Sequence, residues 1–511
     1  MLFYEPLFLF LFGPAVYLIY LFFGEVRWRR AIILFAASVV FYAWSEPVFI
    51  FLVFASVALD LYAAQRIAAL PVSDPAVIPD ASHKRSDRES RPASVAATAL
   101  DSRSGLRPAG NDKRKLWLAL GVVANLAILV YYKYTGFLAL NLDALLKALT
   151  LPGINIPQIA LPIGVSFIVF EKITYLVDVY RGVTAPARAP LLYGLYVFFF
   201  PKLLAGPIIK YHDIARQFDA MPHADIDDFV IGFSRFMLGV VKKLLFADTL
   251  ASGADLIFSR DVGALGFTQA WAGVLFFTFQ IYFDFSGYSD MAIGLARMFG
   301  FRLLENFNMP YVATSITDFW RRWHISLTSW IREYLYFPLG GNRRGEARTY
   351  LNLWICFFAS GIWHGAAWTY IVWGAYNGVF LVLDRLFLVK SLQRLPDWCA
   401  NIITMIVVIV GWTFFRATSI AQAGALLALM ANPWAQSSVE VAIPEEYIVV
   451  ALIAAAICVA QRLSLYVKDF DWASAAQRYA LASNSALSLL FLAALAKGLA
   501  DPFKPFIYFR F

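Results

Sequence analysis

Charge is what this chain has least of. Only 15% of its 511 residues are Asp, Glu, Lys or Arg, against about 25% in a soluble globular protein, while 60% are hydrophobic and the mean hydropathy is +0.64. That deficit excludes a soluble multi-domain protein and leaves a chain whose solvent is largely lipid. Cysteine is scarce as well. Cys356, Cys399 and Cys458 lie in or beside apolar runs with no C-x-x-C spacing, which excludes a disulfide framework and a zinc site. No Gly-x-Ser-x-Gly elbow supports serine-hydrolase chemistry and no His-Glu-x-x-His supports a zinc enzyme, so neither a metal nor a bound cofactor is expected. There is also no repeat of fixed period and nothing that resembles the inverted halves of a secondary transporter.

The charge that is present sits unevenly. The net +8 would suit nucleic acid, but residues 66–115 hold ten Lys/Arg against six Asp/Glu, so half of the excess lies in one loop between apolar spans. A basic loop in that position is the positive-inside signature, read as cytoplasmic and facing anionic lipid heads; nucleic acid is not expected as a partner. Arg27, Arg29 and Arg30 follow the uncharged run Pro6–Gly24 and Glu5 precedes it, the reverse of a signal peptide, which puts the first loop inside and the N-terminus outside.

Further uncharged stretches include Ala31–Ser45, Pro47–Leu59, Leu116–Tyr132, Ile154–Phe170, Pro190–Pro201, Val262–Phe283, Tyr350–Leu383, Asn401–Phe415, Tyr447–Gln461 and Tyr479–Ala496. Several are shorter than the ~20 residues a perpendicular span requires, which implies tilted, re-entrant or protein-buried helices, and the length criterion predicts roughly eleven membrane segments plus re-entrant and interfacial pieces. The expected fold is therefore an all-α polytopic membrane protein, one domain over residues 1–511. Pro71–Asn111, rich in Pro, Ser, Ala and mixed charge, reads as a disordered cytoplasmic insertion.

Ionisable residues within such spans are costly, and they concentrate in the middle third: Glu171, Lys172, Asp178, Lys202, Lys210, Lys242, Lys243, Asp284 and Asp290. The lysines at 210, 242 and 243 are read as ion-paired or interfacial, with long stems that snorkel. Asp284 follows 22 uncharged residues with no basic neighbour within a helical turn, so its partner must come from another segment or from substrate.

Of five histidines, His83 falls in the Pro71–Asn111 insertion and His212 and His223 in polar connecting sequence, and all three read as solvated. His324 lies in Phe319–Tyr334, where a helix would put Trp320, Trp323, His324 and Leu327 on one face beside Arg321 and Arg322. That pattern suits an amphipathic element at the membrane surface, either an anchor or a pair of arginines that recognise phosphate on an incoming donor. His364 lies within Tyr350–Leu383, 34 residues without Asp, Glu, Lys or Arg, which as one straight helix would be about 50 Å long against a hydrocarbon core of about 30 Å. The chain must tilt or break there, and Gly361 and Gly365 bracket the histidine. A neutral imidazole at that depth can take a proton from a hydroxyl and return it to a leaving thiolate, the requirement of acyl transfer from a thioester.

The ordered set Tyr282–Asp290, Met291–Gly294, Glu305–Phe307, Phe319–Ser326, Tyr334–Arg343 and Trp363–Gly365, with Leu161–Phe167, Tyr175–Gly182 and Ala205–Pro207 upstream, resembles the membrane-bound O-acyltransferase family, in its branch that O-acetylates bacterial alginate. The resemblance implies a ring of helices around a thin centre, in which the histidine of Trp-His-Gly stands where a cytoplasmic donor tunnel meets an outer acceptor funnel. It makes His364 the catalytic histidine and His324 the second one. Asp284, Arg321, Arg322, Trp363 and Asn342 are read beside them as substrate-binding or orienting residues. It further implies acetyl-CoA as acyl donor, a polysaccharide acceptor, a periplasmic or secreted acetyltransferase partner, and a place in the bacterial inner membrane. The Pro71–Asn111 insertion departs from the family's pattern. Rival readings are D-alanyl transfer to teichoic acid from a carrier-protein thioester and transport of polysaccharide precursors.

Overall fold

The computed structural model describes residues 1–70, 109–204, 206–467, 478–501 and 504–507, and among the described residues every regular element is helical. The expected all-α, multi-pass architecture is therefore what the chain has. Pro71–Asn111 lies outside the described residues apart from the backbone of its last three, which open a helix.

α1 (Gly13–Phe23) leads to α2 (Arg27–Ser45), whose first-turn Arg30 donates to the carbonyls of Gly24 (2.9 Å) and Met221 (3.1 Å). α3 (Phe49–Ala68) returns antiparallel, so the start of α2 and the end of α3 share one face, here called the basic face. α4 (Ala109–Leu129) rises from it and passes through a π-helical turn, Val130–Tyr134, into α5 (Thr135–Ala148). α6 (Val165–Arg181) runs back. Its start is tied to the end of α2, where Tyr42 Oη donates to the Ile163 carbonyl (3.1 Å) and Glu46 accepts from the Ile163 N–H (2.8 Å). At its other end Arg114 donates to the Tyr180 carbonyl (2.9 Å).

α7 (Pro190–Phe198) is only nine residues long, and the irregular chain after it turns back inside the protein. Backbone at that depth must be satisfied by protein groups. Ser38 of α2 accepts from the Phe200 N–H (3.1 Å), and Ser326 from the Ile208 N–H (3.0 Å). This is a re-entrant piece of the kind expected for Pro190–Pro201. The short α8 (Tyr211–Ala220) follows on the basic face.

α9 (Ile226–Val241) continues through a π-turn, Lys242–Ala247, into α10 (Asp248–Phe258) and packs along α11 (Phe267–Met298). Backbones meet there, because a Cβ on Gly232 or Gly239 would lie 2.6 or 2.5 Å from a carbonyl oxygen of α11, the close approach that small residues permit between membrane helices. Next come α12 (Ile316–Arg322), α13 (Ile325–Ile331) and the hairpin of α14 (Glu346–His364) and α15 (Trp368–Leu383). α16 (Val389–Leu392), α17 (Asp397–Arg416), α18 (Ile420–Ala431), α19 (Glu445–Ser464) and α20 (Ala480–Ala500) complete the described helices.

Six helical stretches among the described residues are long and apolar enough to span a bilayer, fewer than the eleven segments expected, and Phe8–Phe23 and Ile420–Ala431 are shorter apolar helices. The difference has a physical basis: helices such as α6 carry Glu171, Lys172 and Asp178, and protein rather than lipid surrounds those charges. Lys172 pairs with Asp60 (3.3 Å), Lys202 with Glu171, Lys210 with Glu333 (2.9 Å), Lys242 with Asp290 (2.6 Å), and Lys243 with both Asp248 (2.7 Å) and Asp284 (3.0 Å). Ion pairing, one of the two readings of Lys210, Lys242 and Lys243, is what these lysines show, and the Lys243 side chain is 1% exposed.

Candidate active site

The charge-free stretch around His364 breaks, and its two glycines differ in what they do. α14 ends at His364, and residues 365–367 carry the chain to α15. Gly361 stays within the helix, where a Cβ would lie 2.8 Å from Cα of Gly374, so it lets α14 and α15 cross in backbone contact. At Gly365 a Cβ would lie 2.2 Å from the ring of Tyr370.

His364 is 3% exposed, with its ring edge-on to Trp363 (4.9 Å between centroids), Trp373 (5.0 Å) and Phe415 (5.3 Å). These come from α14, α15 and α17. Trp363 stacks on Phe170 of α6 (5.1 Å), which stacks on Trp330 of α13 (3.9 Å). A wall of rigid aromatics packs the imidazole, and electrostatic interactions inside such a site are stronger than in water.

His324 packs about the same tryptophan, 6.3 Å from Trp363 and edge-on to Phe285 (4.6 Å). The structure corrects the reading of Phe319–Tyr334 as one amphipathic surface helix. Helix α12 stops at Arg322, His324 takes a left-handed backbone (φ 44°), and α13 starts anew, so Trp320, Trp323 and His324 are buried in the protein. Asn306 fixes this break: its backbone carbonyl accepts from the Ile325 N–H (3.0 Å), and its Oδ1 accepts from the Ser326 N–H (3.2 Å) and Ser326 Oγ (2.9 Å). Because a backbone N–H can only donate, Oδ1 is an acceptor, and His324 Nδ1, 3.1 Å away, is the donor to it. The neutral imidazole of His324 therefore carries its lone pair on Nε2.

Two cavities adjoin these residues, one lined by His364 and Trp363 and the other by Asn306, the partner of His324. One of about 450 Å³ is lined by Arg235, Lys242, Ser289, Asp290, Glu305 and Asn306 and lies toward the basic face, where Arg297 and Arg302 pair with Asp228 at the start of α9. The other, about 40 Å³ and so room for about three waters, is lined by Lys133, Gly164, Ser166, Leu204, Trp363 and His364 and lies toward the opposite face, at the start of α6.

Other sequence-expected residues are not gathered here. Asp284 pairs with Lys243 and accepts from the Ile507 N–H (2.9 Å). Arg322 pairs with Asp318 (2.9 Å), and Arg321 lines a separate cavity of about 350 Å³ with Asp318, Gln393 and Asp397. Asn342 is exposed in the turn before α14, about 27 Å along that helix from His364. His212, expected to be solvated, is half-buried against Asp178 (2.8 Å). Sequence reasoning gave no role to Asn306, although it lies in a quoted motif, and passed over Lys133, whose signal was available: it is the lone charge that ends the run Leu116–Tyr132.

A chain whose described elements are all helical, six of them apolar and long enough to span a bilayer, with two buried histidines packed about one tryptophan, is a membrane protein with a buried polar centre. The chain belongs to the membrane-bound O-acyltransferase family, whose model matches residues 190–422 and thus both histidines, and it is an acyltransferase. It is 37% identical over 541 aligned residues to a probable alginate O-acetylase of Azotobacter vinelandii, with all of both chains covered. Similarity to the peptidoglycan O-acetyltransferase of Helicobacter pylori is 37% over 61% of this chain and 64% of that one; to the teichoic acid D-alanyltransferase of Bacillus subtilis it is 26% over 44% and 59%.

Proposed function

We propose that the protein O-acetylates an extracellular polysaccharide, alginate or a related glycan, drawing acetyl groups from a cytoplasmic thioester, acetyl-CoA, and working in the bacterial inner membrane with a periplasmic or secreted acetyltransferase partner. The observation that carries this reading is the pair of buried histidines packed about Trp363, with His364 lining one cavity and Asn306, the partner of His324, lining the other, in a chain alike over its full length to a probable alginate O-acetylase. The donor enters from the basic face. The acceptor hydroxyl approaches from the opposite side, its oxygen adds to the thioester carbonyl carbon, and His364 takes the hydroxyl proton. The C–S bond then breaks and the proton passes to the thiolate. His324, its tautomer set by Asn306, orients the donor.

Purified protein in nanodiscs, offered labelled acetyl-CoA, longer acyl-CoAs and D-alanyl carrier protein in parallel with glycan and partner, tests this. Acetyl transfer from acetyl-CoA alone is expected; transfer from the D-alanyl carrier would favour the teichoic acid reading, and movement of glycan without ester formation a transporter. His364→Ala and His364→Gln should each lower transfer about 10²–10⁴-fold with membrane insertion unchanged, since an amide cannot shuttle the proton. Substantial transfer by His364→Gln would make His364 an orienting residue and overturn the mechanism.

A further inference from the structure

The last turn of α14 leaves carbonyls without partners inside the helix, as every helix end does. Three consecutive ones, at Ile362, Trp363 and His364, are taken by two neighbouring residues of another segment. Tyr134 Oη donates to Ile362 O (2.6 Å), and Lys133 Nζ donates to Trp363 O (2.7 Å) and His364 O (3.0 Å). Both belong to the π-helical turn Val130–Tyr134 between α4 and α5. The extra residue of a π-turn rotates the side chains that follow by about 100° relative to a regular helix, and such turns recur at functional sites. Here that rotation coincides with the lysine and the tyrosine that donate to the last carbonyls of α14.

We infer that Lys133 is a positioning residue for the acyl-transfer reaction: its ammonium fixes the end of α14, and with it the His364 imidazole, from the acceptor side. The inference rests on the reading of His364 given above. An ammonium has three hydrogens, and a third oxygen, Ser166 Oγ, lies 3.4 Å from Nζ, so the donors of Lys133 are spent on protein rather than aimed at substrate. A cation at a helix C-terminus is also favoured by the helix dipole. The chain leaves α14 for α15 immediately after His364, so no further helical turn holds that residue; the aromatic rings pack its imidazole and Lys133 holds its backbone. A site loosened by a few tenths of an ångström loses its reactive geometry.

The test is steady-state acetyl transfer by Lys133→Met, Lys133→Gln and Lys133→Arg, with His364→Ala alongside. Lys133→Met should lower kcat about 10–100-fold with the KM for acetyl-CoA and for glycan within about twofold of wild type, and Lys133→Arg, which keeps a charged donor, should recover most of the rate. If the methionine variant fails to fold, the other two decide: Arg clearly faster than Gln supports the inference, and equal kcat values overturn it. Wild-type kcat in Lys133→Met, or a raised glycan KM at unchanged kcat, overturns it as well, the second result making Lys133 an acceptor contact. A His364→Ala variant with wild-type transfer would bring down the underlying mechanism whatever Lys133 does, whereas an inactive His364→Ala beside unaffected Lys133 variants removes the positioning role alone.

Discussion

Lys243 and Asp284 meet inside the protein beside Asp248, and Tyr4 lies over the ammonium at 5.0 Å. One cation thus serves two carboxylates, and the consequences of removing each partner differ. Lys243→Met leaves two buried carboxylates facing each other and should cost most, of the order of the ~3–5 kcal/mol seen when a buried pair is broken. Asp284→Asn leaves Lys243 its bond to Asp248 and still offers an amide oxygen to Ile507, so its loss should be smaller. Melting temperatures in detergent rank the two, and transfer per folded molecule should stay near wild type in Asp284→Asn; loss of transfer at full stability would place Asp284 in the reaction instead. From sequence, the need of Asp284 for a partner in another segment was legible through the cost of a charge among apolar residues. The identity of that partner was not, since it depends on how α11 and the π-turn Lys242–Ala247 pack. Lys133 satisfied the same criterion as Asp284, and its role emerges only with α14 beside it.

The elements around the site hold their shape through contacts distant in sequence, which explains what pattern reading missed. Periodicity alone favours one helix through Phe319–Tyr334, and it is Asn306, 18 residues before His324, that makes the break cheaper than the continuous helix. The break after His364 was legible because length and glycine spacing are local. A methyl group tests it: Gly365→Ala places a Cβ 2.2 Å from the Tyr370 ring and Gly361→Ala one 2.4 Å from the Tyr370 carbonyl, both overpacking a filled interior. Each should destabilise by about 1–3 kcal/mol or more, and Gly365→Ala, adjacent to His364, should lose transfer out of proportion to its loss in melting temperature. At the basic-face junction of α6 and α8, burial acts to lower the pKa of His212, but its bonds to Asp178 (2.8 Å) and Asp213 (3.3 Å) outweigh that and raise it to about 9. Folded-state pKa above the unfolded ~6.5 means stabilisation that is full below pH ~6.5 and fades as pH rises toward 9. His212→Gln should therefore lower the melting temperature at pH 6 and have little effect above pH 9.5; an equal decrement at both would assign His212 a packing role only.

At the scale of the whole molecule, composition sufficed for a multi-pass helical protein, and the motif order sufficed for the family. The two cavities that adjoin His364 and Asn306 were beyond reach, because each is lined from segments far apart in the chain. The same separation between scaffold and connection bears on Pro71–Asn111. The helices it joins hold each other without it: Asn125 of α4 donates to Asp60 of α3 (2.8 Å), Arg114 donates to the Ile67 carbonyl (3.1 Å), and a Cβ on Gly121 would lie 3.7 Å from Ala63. Closing a shorter connection between ends already side by side is no burden, since each halving of loop length changes the closure entropy by only about 0.6 kcal/mol, and in the stabilising direction. The segment's composition buries too little apolar surface to contribute a core of its own. Replacing it with about ten Gly/Ser residues should leave the melting temperature unchanged or slightly raised and transfer within a few-fold of wild type. If the shortened protein inserts and melts normally yet transfers nothing, the segment is where donor or partner docks, and its six Lys and Arg would be the first residues to vary.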